Sequence, residues 1–163
     1  MGLEKERVVT IIKNYQIVHH AYVDFIGLVK SLPEWFNSYR YYFYEKGLSE
    51  KDVGTGHEVQ SAWIASRQAT DYLKFEVEVM ILARDLRKVV LEDGEETYWS
   101  RLLVVINAQM VKDWQGKYKP YGIQDVYRQF YERFLVQNEI RKYGDELARE
   151  VVELIARLKT FLQ

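Results

Sequence analysis

The sequence predicts an α+β chain in which an antiparallel β-sheet packs on a long C-terminal helix, and three stretches carry that expectation. Leu73, Phe75, Val77, Val79, Ile81 and Ala83 alternate with Lys74, Glu76, Glu78 and Arg84. That period of two describes a strand with one buried and one wet face. Asp93-Gly94 is a strong hairpin signal, because both central residues of such a turn take positive φ. Finally, Ile140, Tyr143, Leu147, Val151, Leu154, Ile155, Leu158 and Leu162 recur at helical spacing, a single apolar stripe that needs a long apolar surface to lie on.

Taken in order, the β-branched run Val8–Ile12 reads as a strand, with a helix continuing from Leu3 as the competing possibility. Ile17, Val18, Ala21, Tyr22, Phe25, Ile26 and Val29 fall at helical spacing and predict an amphipathic helix ending before Pro33. Ser31-Leu-Pro-Glu34 spells a capping box with proline in the first turn, so a short helix is expected to start there. The aromatic run that follows is expected to be a strand. Tyr39, Tyr41 and Phe43 would share one face, and Arg40, Tyr42 and Tyr44 the other. Its alternative is a helix running on to Lys46 and capped by Gly47.

Val53-Gly-Thr-Gly-His57 reads as a hairpin loop into a strand whose odd positions, Val59, Trp63, Ala65 and Ala69, are apolar. The Asp93-Gly94 turn joins Lys88–Glu92 to a strand over about Tyr98–Val111, apolar on both parities. After Pro120, the stripe Ile123, Val126, Tyr127, Phe130, Tyr131, Phe134 and Leu135 predicts an additional aromatic helix over Ile123–Gln137. The last helix carries Asp145 with Arg149 and Glu153 with Arg157 at i,i+4 in the favourable order.

Composition narrows the function classes. With 163 residues, 48% hydrophobic and 29% charged, the chain is expected to be one globular domain, 1–163. A net charge of −1 argues against a general nucleic-acid binder, which needs a basic face. The absence of cysteine excludes disulfides, thiolate zinc sites and thiol nucleophiles, and fits a cytoplasmic protein. The N-terminus lacks a signal peptide's apolar core, and Leu102–Ile106 is far too short to span a bilayer. His19, His20 and His57 form no metal-ligating pattern, and no phosphate-binding or nucleophile-elbow motif occurs. No metal or cofactor is expected, and no residue stands out as catalytic.

The element order of strand, helices, antiparallel meander and long terminal helix resembles the helix-grip fold of the START and Bet v 1-like (SRPBCC) superfamily. The resemblance rests on that order over nearly the whole chain, and the Ile123–Gln137 helix departs from it. It implies a curved sheet wrapped around the C-terminal helix, with an apolar small molecule or lipid held between them. On that reading Tyr41, Trp63, Phe75, Val77 and Val79 would line the site. Arg67, on the same strand face as Trp63, would anchor a carboxylate or phosphate. The bland alternative has Arg67 snorkelling to water or pairing with Asp71. A different function class is a self-associating protein, a homodimer formed through exposed aromatics such as Tyr42 and Tyr44. An enzyme of the cyclase or hydrolase type using the same cavity would need a buried acid or base. Glu76 and Glu78, the closest carboxylate pair on one strand, are expected to face solvent.

Overall fold

The structure is a computed structural model and describes residues 7–116, 126, 130 and 137–162. Its elements are β1 (Val8–Val23), α1 (Phe25–Ser38), β2 (Tyr42–Asp52), β3 (His57–Gln68), β4 (Leu73–Val90), β5 (Glu96–Lys112) and α2 (Gln137–Lys159). The five strands form one antiparallel, curved sheet in the order β1-β5-β4-β3-β2. Strands β2 to β5 follow one another as a meander, while β1 closes the far edge by pairing with β5, from Val8 opposite Val111 to Val23 opposite Tyr98. The α+β class, the sheet and the C-terminal helix packed on it are as the sequence predicts. The aromatic helix expected over Ile123–Gln137 lies outside the described residues apart from Val126 and Phe130.

Alternation places the core. The odd residues of β4 from Leu73 to Ala83 and the even residues of β5 from Leu102 to Met110 are buried on one face. Against that face α2 buries Leu147, Val151, Leu154, Ile155 and Leu158, and α1 buries Leu28, Leu32, Trp35 and Phe36. Each such side chain contributes roughly 1.5–3 kcal/mol on burial. The end of α2 is tied back to the β1–α1 corner: Asp24 N donates to Phe161 O (2.9 Å), and Val23 bridges Leu162. Outside the core, Arg157 reaches Glu34 on α1 at 3.1 Å, and Glu153 accepts from the Tyr39 hydroxyl.

Two local expectations need correction. Residues Ile17–Val23 are strand, not helix, and α1 begins only at Phe25, where the Asp24 side chain accepts from Gly27 N at 3.1 Å. Val18 and Tyr22 point outward, 61% and 41% exposed, while Ile17 and Val23 are buried. Apolar residues on both parities of a strand fall at 17, 18, 21 and 22, which imitates helical spacing. The capping box at Ser31 is likewise not a start. Ser31 Oγ donates to Leu28 O (2.6 Å) and Pro33 sits inside α1, where the core contacts of Leu32, Trp35 and Phe36 outweigh the one backbone bond that proline removes.

The turns fall where their sequence signals put them, although in the β4–β5 turn Asp93 does not share the positive φ expected of it. Gly94 has φ of +85° and its N–H donates to Leu91 O at 2.9 Å, closing the β4–β5 hairpin. The Val53–Gly56 loop joins β2 to β3, with Val53 N donating to Gly56 O. The Asp113–Gly116 turn ends β5, and the Trp114 indole N–H is clamped on Thr70 O at 2.9 Å. No helix of the described residues is long and apolar enough to cross a membrane.

Candidate functional site

The chain leaves α1 through Tyr39 and Arg40, and the positive φ of Arg40 (60°) turns it back towards the sheet. This delivers Tyr41 to the core and starts β2 at Tyr42. The expected parity holds from Tyr41 on, with Tyr41 buried (4%), Phe43 half-buried, and Tyr42 and Tyr44 78% and 52% exposed. Tyr39 and Arg40, expected in the strand, are instead the C-cap of α1 and the turn after it. Behind the run lies an aromatic cluster. Trp35 stacks on Tyr41 at 5.4 Å, Phe36 stacks on Phe43 at 5.1 Å, and Trp63 sits 6.4 Å from Phe36.

Arg67 enters this cluster from the end of β3. It is paired in register with Phe75 of β4, the neighbour expected from strand parity. Its guanidinium lies over the Tyr41 ring at 4.8 Å and the Phe75 ring at 5.0 Å, two aromatic faces that attract a cation. One edge is closed by Glu150 of α2 in a bidentate pair, with Nη1 donating to Oε1 at 2.6 Å and Nη2 to Oε2 at 2.8 Å. Nη1 also donates to Tyr39 O at 2.6 Å, and Glu146 stands 3.5 Å from Nη2. Arg67 therefore neither snorkels to water nor pairs with Asp71. It ties the α1–β2 corner, the sheet and α2 together at one point.

Glu150 was not visible as a site residue in the pattern of polar and apolar positions taken by itself. Its signal is positional: residues 147, 150, 151 and 154 lie on one helical face, so a carboxylate at 150 interrupts the stripe that packs on the sheet. It is 5% exposed, next to an arginine side chain only 18% exposed. Burial raises the Glu150 carboxyl above the usual range; Glu146 adds to this and Arg67 opposes it. For Arg67, burial alone would lower the pKa, but the Glu150 hydrogen bond and the surrounding negative groups raise it, so the guanidinium stays charged. The Tyr41 phenol is raised by burial first and by the Glu150 charge second, and stays protonated.

A cleft of about 700 Å³ opens over this floor, walled by Tyr39, Tyr42 and Tyr143 and carrying Arg40, Arg67, Lys74 and Glu146. Of the three cations lining it, Arg67 is paired with Glu150 and Lys74 stands 3.8 Å from Glu76. The lining itself holds one carboxylate, Glu146, so its local balance favours an anionic group. Glu150 lies beneath the cleft and does not line it. Of the six expected site residues only Arg67 lines the cleft, and the buried Tyr41 and Phe75 rings flank its guanidinium from below. Trp63 lies deeper in the aromatic cluster, and Val77 and Val79 belong to the packed core, at 1% and 0% exposure. The Tyr41 hydroxyl and the Trp35 and Trp63 indole nitrogens are buried and reach no hydrogen-bond partner at good geometry among the described residues. Glu78 is exposed, while Glu76 is half-buried and accepts from Gln109 at 3.0 Å, a structural contact.

No protein-family model matches the chain, and no curated protein matches it. The site must therefore be read from its own chemistry. Among the described residues no group of three or more histidines and carboxylates could hold a metal ion.

Proposed function

We propose that the protein binds an amphipathic small molecule or lipid, with an anionic head at the Arg40–Lys74–Glu146 rim and an apolar or aromatic body against the tyrosine walls. The observation that carries this reading is the Arg67–Glu150 pair beneath the cleft. A buried ion pair is no stronger a structural device than apolar packing, and often a weaker one. Here it holds one guanidinium edge fixed while leaving Nη2 facing Glu146, a half-exposed carboxylate at 3.5 Å. An incoming carboxylate or phosphate takes the place of Glu146 at that nitrogen. The order of elements, with a sheet laid on a terminal helix, is compatible with a helix-grip ligand binder. The ligand then sits at the mouth between sheet and helix, above Val77 and Val79.

Pyrenebutyrate and its uncharged counterpart pyrenebutanol test this by fluorescence titration. Pyrenebutyrate should bind about tenfold more tightly, a difference of about 1.4 kcal/mol. Glu146→Gln should tighten it further by removing the competing carboxylate, and Lys74→Gln should weaken it. Equal affinities for acid and alcohol, or a Glu146→Gln variant that binds more weakly, would overturn the proposal.

A further inference from the structure

The face of the sheet turned away from α2 has an apolar centre to its middle rows, which end in Gln60 on β3 and Gln16 on β1. Glu78 and Glu76 lie beyond it at one end, Glu76 3.8 Å from Lys74, and arginines at the other. Strand register sets Val18, Leu103 and Leu82 in one row across β1, β5 and β4. Val105, Met80 and Ala62 form the next row across β5, β4 and β3. Val18 is 61% exposed, and Leu103, Leu82, Val105, Met80 and Ala62 are half-buried. Neither described helix helps, since α1 and α2 bury their apolar faces in the core on the opposite side. Along β4 the same face continues to Glu78 and Glu76 at one end, and to Arg84 and Arg87 at the other. Arg101 of β5 stands opposite Arg84.

We infer that this face docks on the same face of a second copy of the chain. The two-fold axis lies in the interface, runs across the strands, and passes between the Met80 and Leu82 rows. Rotation about it lays each strand over its own counterpart in the reverse direction. Met80 then meets Leu82 of the second copy, Val105 meets Leu103, and Glu78 meets Arg84. Acidic and basic ends at equal distances from an apolar centre are what an isologous contact requires, and they select a second copy over an unrelated partner. Aligned face-to-face packing is a standard arrangement for two sheets.

Four strands about 4.8 Å apart and five rows about 6.8 Å apart give the face roughly 500 Å² in plan before side-chain relief is counted. That is of the order of the ~800 Å² of accessible surface each partner contributes to a stable complex. A net charge of −1 per chain sets no general repulsion between copies. The cleft lies at the end of the sheet, where Tyr42, Ser66 and Lys74 share a face with Glu76, and the central Met80 and Leu82 rows of the dimer contact do not line it.

Sedimentation equilibrium of the full chain reads the outcome. The wild type should be a dimer at about 200 µM, well above the micromolar Kd of a modest interface. Symmetry makes every substitution count twice, so Arg84→Glu and Glu78→Arg should each weaken the dimer tenfold or more. The double variant should recover it, because each reversed residue again faces an opposite charge. Met80→Glu should give a folded monomer, with circular dichroism confirming the fold. A monomeric wild type would overturn the inference. So would a dimer indifferent to both charge reversals, or single variants that weaken it without rescue in the double. Loss of the dimer through Tyr42→Ser or Tyr44→Ser instead would assign it to the β2 edge.

Discussion

Arg67→Leu leaves the Glu150 carboxylate buried with its principal partner gone, and such a loss costs about 3–5 kcal/mol. Arg67→Leu with Glu150→Leu removes both charges and should recover most of that in urea unfolding, since apolar residues of similar size fill the space. A double variant no more stable than the single would mean that Arg67 acts mainly through its aromatic stacking and its bond to Tyr39 O. The pH response of the pair has a definite sign. Burial, reinforced by Glu146 and opposed by Arg67, holds the Glu150 carboxyl above its ordinary value of 4.5. A carboxyl raised in the folded state favours folding when protonated. Its contribution is full below 4.5 and is lost as pH rises through the folded value. The stability of the wild type relative to Glu150→Gln should therefore fall as pH is raised from about 4.5, then level off. Thermal melts of both proteins across that range check it, and a difference that grows with pH would reverse the assignment.

The elements differ in how plainly their sequences announce them. Alternation in β4 is strict because one face packs on two helices and the other carries Lys74, Glu76 and Arg84, so its period could be read directly. In β1 the outward Val18 and Tyr22 are as apolar as the inward Ile17 and Val23, and a period of two cannot be seen when both faces are greasy. The same outer-face apolarity that hid the strand is what the two-fold contact uses. In α1 the proline signal misled for a different reason, since tertiary packing of Trp35 and Phe36 overrides one lost hydrogen bond. Of the site, Arg67 and its ring partners were legible from strand parity. Glu150 was not, because its partner lies 83 residues away, on another element. The fit between elements can be tested at Gly56, in the β2–β3 turn, where a Cβ would come 2.9 Å from the Asp85 carbonyl carbon and the Leu86 carbonyl oxygen. These are backbone atoms at the β4 bulge and cannot swing aside. Gly56→Ala should destabilise by about 1–3 kcal/mol in urea unfolding. A neutral result would mean that the hairpin rides free of β4.

For the whole molecule, topology separates what can form early from what must wait. Strands β2 to β5 are joined by short turns, so their pairings are local and carry little loop-closure entropy. β1 joins last in any such scheme, because its partner β5 lies about ninety residues further along the chain, Val8 opposite Val111 and Val23 opposite Tyr98. Closing so long a loop must precede any reward from the contacts it makes. The inner-face residues of the meander, such as Val79, should therefore be partly packed in the folding transition state, and Ile17 of β1 should not. Ile17→Ala, costing about 2–5 kcal/mol, is expected to speed unfolding and leave the folding rate nearly unchanged. Val79→Ala should slow folding instead. Stopped-flow chevrons of the two variants give the comparison, and an Ile17→Ala effect on the folding limb as large as that of Val79→Ala would show that sheet closure is already complete at the barrier.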